Sequence, residues 1–235
     1  AAMVKELREM TGAGMMDCKK ALTETNGDMD AAVDVLKKSG AAKMEKKQSR
    51  IAAEGIARVA VNGNVAVVAE VNSETDFVAK NETFQEFVQT VADTALASDL
   101  NGGANGEDIE ALLATNGLSD LLVEKTATIG EKLSVRRFAK VTGDAVASYI
   151  HGGGRIGVVI AADGASDDAA KEALTNIAMQ VAAMNPQYIS RNDISAEELA
   201  KIKEITIDSA LNDATTLPKP ILNKLLDKAI GEKVW

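Results

Sequence analysis

Cysteine is nearly absent. Cys18 is the only one in 235 residues, so no internal disulfide can form and a reducing compartment is the expected setting. Histidine is equally scarce: His151 stands alone, and without a second imidazole or clustered thiols a metal site lacks ligands. Aromatics make up 3% of a chain that is 46% hydrophobic, so the interior must be built from Ala, Val, Leu, Ile and Met. No apolar run approaches the ~20 residues of a membrane span, and the stretch Val4-Lys5-Glu6-Leu7-Arg8 is too polar for a signal peptide. A cytoplasmic protein, or one of an organelle matrix, is expected, with no membrane partner.

Positive charge is in deficit as well. The net charge is −9, and residues 51–235 alone carry 16 basic against 27 acidic groups. That balance argues against a nucleic-acid groove. The length suffices for one large domain or two small ones with real cores.

What is present reads as an α+β chain. Val4–Met10 and Met15–Thr25 are short helices parted by Thr11-Gly12-Ala13-Gly14, and Asp28 is placed to cap a third with Met29, Ala32, Val33 and Leu36 on one face. The result is a three-helix module over residues 1–40. Met15 and Met16 are adjacent, so a helix cannot bury both on one face. Either one is core and the other a helix end, or the pair is a soft binding surface. Lys19 and Lys20 read as a solvated face. Lys43, Lys46, Lys47 and Arg50 make residues 41–54 a basic, solvated linker.

A first core half follows at 55–140. Gly55–Val61 and Asn64–Val71 flank Asn62-Gly63, the strongest hairpin signal in the chain. A helix at 81–97 carries Phe84, Phe87, Val88, Val91 and Ala95 on its apolar stripe. Residues 101–106 read as a flexible glycine loop, Asp108–Thr115 and Leu118–Lys125 as helices, and Leu133–Val141 as a strand. The second half, 141–190, repeats the plan: Ala147–Ile150, a turn at Gly152-Gly153-Gly154, Ile156–Ala161, then a helix to Met184. The glycine triplet leads into a strand rather than a helix, so it cannot be a phosphate loop and serves the hairpin instead. In 191–235, Ser195-Ala196-Glu197-Glu198 is a capping box, and the break at Leu217-Pro218-Lys219-Pro220 separates two helices of a helical hairpin.

Between the second strand and the helix at 81 lies Thr75-Asp76-Phe77-Val78. Phe77 is seven residues before Phe84, in phase with the helix stripe, so an earlier helix start would bury it. As part of a surface connection it would instead be held for a partner.

Two long motifs decide between these readings. Leu7-Arg8 with Thr11 through Leu22, and Glu70 through Lys80, together resemble the two signatures of bacterial elongation factor Ts in order and spacing. The likeness continues through Thr128-Ile129-Gly130-Glu131-Lys132, Arg136-Arg137, Tyr149, His151 and Arg155-Ile156-Gly157. The resemblance implies a ubiquitin-associated-like N-terminal bundle, a coiled-coil arm at 191–235, and a chain lacking the family's C-terminal module, since this sequence stops at Trp235.

It also implies a function: guanine-nucleotide exchange on elongation factor Tu, bound with GDP or nucleotide-free, with no cofactor, no metal and no bond-making chemistry. Thr75, Asp76, Phe77 and Val78 match the family's magnesium-dislocating motif. Arg8, Met15, Met16, Lys19 and His151 match its partner contacts. By residue chemistry alone, His151 is as well read as a structural or solvent-facing side chain. The competing class is a non-catalytic adaptor docking through its N-terminal module. An acid/base enzyme lacks a carboxylate pair placed by the sequence.

Overall fold

The computed structural model describes residues 2–164 and 166–213. It is α+β, and the chain divides into two compact units after Ala182. The first unit opens with α1 (Ala2–Thr11), α2 (Met15–Glu24) and α3 (Met29–Glu45), which close over Leu7, Cys18, Ala21, Leu22 and Ala32. Asp28 caps α3 by accepting from the Ala31 amide at 3.0 Å.

The helix α3 runs past residue 40. Gly40 is buried against Val123 of α7 (Leu118–Ile129), where a β-carbon would stand 3.1 Å from the valine methyl. The segment read as a solvated basic linker is held at several points. Lys43 pairs with Asp17 at 2.8 Å, Arg50 with Glu74 at 3.2 Å, and the Lys132 ammonium donates to the Gln48 and Arg50 carbonyls at 2.6 and 2.9 Å. Lys43 and Arg50 thus meet carboxylates outside the segment, while Lys46 stays exposed.

The first sheet has the order β1 (Glu54–Asn62), β2 (Val65–Ser73), β3 (Ser134–Thr142), all antiparallel. The β1–β2 loop is Gly63-Asn64, one residue on from the expected Asn62-Gly63. Gly63 takes φ 59°, which suits the first central position of a tight hairpin. One face of the sheet, with Ile56, Val67, Ala69 and Val71, packs on α5 (Glu82–Ala97) through Phe84, Phe87, Val88 and Val91. Alternation along β2 turns Val68 to the other face, where Gly157 of the second sheet lies against it.

That second sheet pairs β4 (Ala145–His151) with β5 (Ile156–Ala162), and Leu174 of α8 (Asp168–Met184) packs with Ala145 and Ala147. Hairpin followed by helix therefore occurs twice.

Both edges of the three-stranded sheet are met by other segments, which takes up part of the open ladder that invites pairing with other chains. On the β1 side, the Gly154 carbonyl accepts from the Ala57 amide at 2.7 Å. Gly154 has φ 111°, and a β-carbon there would meet that of Ile56 at 2.8 Å, so the glycine triplet serves this docking as well as the turn. On the β3 side, the 101–106 stretch expected to be flexible is tied down: Gly103 donates to Phe138 at 2.8 Å, and Lys140 donates to Asn101 at 2.9 Å.

In the second unit, α9 (Ala196–Asp213) begins with Ser195 accepting from the Glu198 amide at 3.1 Å. The Glu198 carboxylate also acts on Tyr188, whose hydroxyl pKa it raises. The reciprocal box forms five residues earlier, between Ser190 and Asp193. The proline break and second helix of the expected arm lie outside the described residues.

Candidate functional site

Strand β2 ends at Ser73, and the chain turns through Glu74 and Thr75 into α4 (Asp76–Ala79), a single helical turn. Thr75 caps it, its hydroxyl oxygen accepting from the Val78 amide at 3.4 Å. Ala79 is the residue this turn buries, and Val78 is half-buried against the core. Phe77 points outward and is 81% exposed. The other three phenylalanines, Phe84, Phe87 and Phe138, are exposed by 1% or less, so Phe77 is the exception for its type.

The seven-residue spacing to Phe84 fails as a guide for a local reason. Asn81 accepts from the Phe84 amide at 3.2 Å and starts α5 afresh, so Phe77 and Phe84 never share one continuous helix. Phase is reset at the new cap.

Asp76 lies on the same turn, half-buried, with its carboxylate 2.7 Å from the Lys80 ammonium. That hydrogen bond, then the Lys80 charge, holds its pKa below the ordinary aspartate value, and the positive charge of Arg155 in the β4–β5 turn adds to the effect. Asp76 is thus an anion at neutral pH, paired with Lys80.

Three backbone and side-chain donors at the start of α4 converge on one carboxylate. Glu131 accepts from the Glu74 amide at 3.1 Å, the Thr75 amide at 3.0 Å and the Thr75 hydroxyl at 2.6 Å. Next to it, the Lys132 amide donates to Glu74 at 2.6 Å, and Ser73 donates its hydroxyl to the Thr75 carbonyl at 3.0 Å. Single-residue reasoning missed Glu131 and Lys132. They sit just after Gly130, which ends α7 with φ 88°, and their partners lie 56 to 58 residues upstream.

Glu74 itself is a pH reporter for this bracing. The Lys132 amide lowers its pKa below the ordinary 4.5, burial opposes, and Arg50 lowers it further. A carboxylate whose folded pKa is depressed contributes stability that is complete above its unfolded value and is lost as pH falls through the folded one. Urea unfolding of wild type and Glu74→Gln should therefore show a stability gap at pH 7 that holds down to about pH 4.5 and narrows below it. A gap that stays constant to pH 3 would contradict this.

The other expected contact residues occupy two further places. Arg8 on α1 and Met15, Met16 and Lys19 on α2 are exposed on the N-terminal bundle, with the two methionines 60% and 74% accessible. Neither methionine is core, because Cys18, Ala21 and Leu22 take the inward positions of α2. His151 ends β4, exposed, its Nδ1 2.9 Å from the Tyr149 hydroxyl oxygen. No hydrogen bond or ion pair among the described residues joins the α1–α2 group, the α4 turn and His151. Among the described residues no group of three or more His, Cys, Asp or Glu could hold a metal ion, and no helix is long and apolar enough to cross a membrane.

The family described as Elongation factor TS matches residues 74–233. The match begins on the residue where β2 gives way to the Phe77 turn, and it takes in Glu131, both arginines at 136 and 137, and the hairpin bearing His151. With most of the sequence inside that match, the chain belongs to the elongation factor Ts family of translation elongation factors.

Proposed function

We propose that this chain is a guanine-nucleotide exchange factor that binds elongation factor Tu, in its GDP-bound and nucleotide-free states, and promotes GDP release. The observation that supports it most directly is an 81% exposed phenylalanine on a short turn braced from a distant segment. Exposing a large aromatic is unfavourable, and a braced one is suited to insertion into a partner.

In this reading Phe77 wedges between partner side chains beside the nucleotide's magnesium. Thr75 and Val78 set the turn. Asp76, already ionised, brings a carboxylate towards an ion that demands near-ideal octahedral ligation, so its waters and ligands are disturbed. Weakened magnesium leaves the diphosphate charge less compensated. Arg8, Met15, Met16, Lys19 and His151 anchor the complex. The chain itself makes and breaks no covalent bond and needs no cofactor.

Linkage sets the scale. If this protein weakens GDP binding by some factor, GDP weakens this protein's binding equally. A ~10⁴-fold weakening corresponds to about 5.5 kcal/mol, more than one aromatic is expected to supply. Distributed anchors are therefore part of the mechanism.

The test is stopped-flow release of a fluorescent GDP from elongation factor Tu, with and without the chain. Concentration-dependent acceleration is expected. Binding without acceleration would replace exchange by an adaptor role through the N-terminal bundle, and absence of both would remove the proposal.

A further inference from the structure

We propose that Glu131 is the positioning residue for the Phe77 turn, and that the exchange proposed above depends on it. A four-residue helix cannot hold itself: a first turn fixes several dihedrals for one hydrogen bond, and short isolated helices are unstable in water. Something outside α4 must define where Phe77 points. The Glu131 carboxylate is that group, since both its oxygens are taken by donors from Glu74 and Thr75, including the amide of the capping residue itself.

The brace is rigid at its other end. Glu131 follows α7, which is anchored in the main core by Leu118 and Leu122. The neighbouring Lys132 ties Glu74, Gln48 and Arg50 together, and Arg50 closes the set by pairing with Glu74. The connector from the N-terminal bundle, the end of β2 and the end of α7 thus converge on one node. Phe77 is presented from that node, which relates its direction to the bundle that carries the expected anchors.

Two variants test this. Glu131→Ala removes every acceptor, while Glu131→Gln preserves shape but turns an amide group towards donors that need an acceptor. Amide hydrogen exchange at Glu74 and Thr75 should quicken by roughly 10-fold in Glu131→Ala, the loss of a partly buried acceptor being worth about that much. Glu131→Gln should fall between it and wild type. In the GDP-release assay the maximal rate should drop about 10-fold for Glu131→Ala with the half-saturating concentration nearly unchanged, because the anchors are untouched. Adding Phe77→Ala to Glu131→Ala should then lower the rate no further than Phe77→Ala alone.

Unchanged amide exchange in both variants, or an undiminished maximal rate in an otherwise active protein, would overturn the positioning role. A wild-type chain that fails to accelerate release would instead refute the exchange function. Amide exchange would still decide whether Glu131 holds the turn.

Discussion

Phe77→Ala should lower the maximal rate of GDP release from elongation factor Tu by roughly 30-fold, the scale of about 2 kcal/mol associated with a buried aromatic anchor in an interface. It should leave the fold's stability within about 0.5 kcal/mol of wild type, because an 81% exposed ring makes little contact within its own chain. The two readouts together are diagnostic. A wedge acts only in the complex, so its removal touches the rate and spares the thermal midpoint. A lowered midpoint with an unchanged rate would mean that the ring packs on its own protein in solution. Phe77→Leu should recover part of the rate, since it restores apolar volume without the aromatic edge.

Phe84→Ala should do the reverse. The side chain is fully buried at the centre of the main cluster, between the first sheet and α5, with Phe87, Val88 and Val91 as companions on the helix. Truncating such a ring removes its transfer free energy and leaves a cavity, so a loss of about 3–5 kcal/mol in urea unfolding is expected. With an interior this poor in aromatics, few large neighbours can relax into the gap. At temperatures where the variant stays folded, its maximal release rate should remain near wild type, because the Glu131 hydrogen bonds at the start of α4 do not involve the Phe84 side chain. A loss under 1 kcal/mol would show that the small aliphatic residues repack more freely than close packing allows.

These two phenylalanines show what a pattern can and cannot read. Seven residues apart, they look equivalent by helical phase. The stripe of α5, the strands of both hairpins, the Asp28 cap and the three N-terminal helices follow from local chemistry and periodicity, and they appear where that chemistry places them. Exposure of Phe77 depends on one cap, Asn81, which restarts the helix and breaks the phase. Single-sequence periodicity has no means of seeing that restart. The likeness over Glu70–Lys80 pointed to Phe77 as a partner contact by residue identity in order, without reading the cap.

Other differences share one cause. The basic connector reads as solvated and most of it is exposed, while Asp17, Glu74 and the Lys132 ammonium, which donates to the Gln48 and Arg50 carbonyls, tie it to other segments. Arg136 and Arg137 would face opposite sides of a regular strand. A bulge opposite Glu70 and Val71 lets both reach the same carboxylate, at 3.3 and 2.6 Å. The glycine stretch at 101–106 reads as mobile and instead seals a sheet edge.

By itself, the sequence determined the α+β class, the elements, the absence of disulfides, and through its two motifs the family. These depend on local propensity, on period, and on residue identities in order. Tertiary structure alone decided that Glu131 meets the turn carrying Phe77 and that three distant segments converge beside it. The Glu131 contacts join residues 56 and 57 positions apart, and the entropy of closing such loops is offset only when the whole core forms.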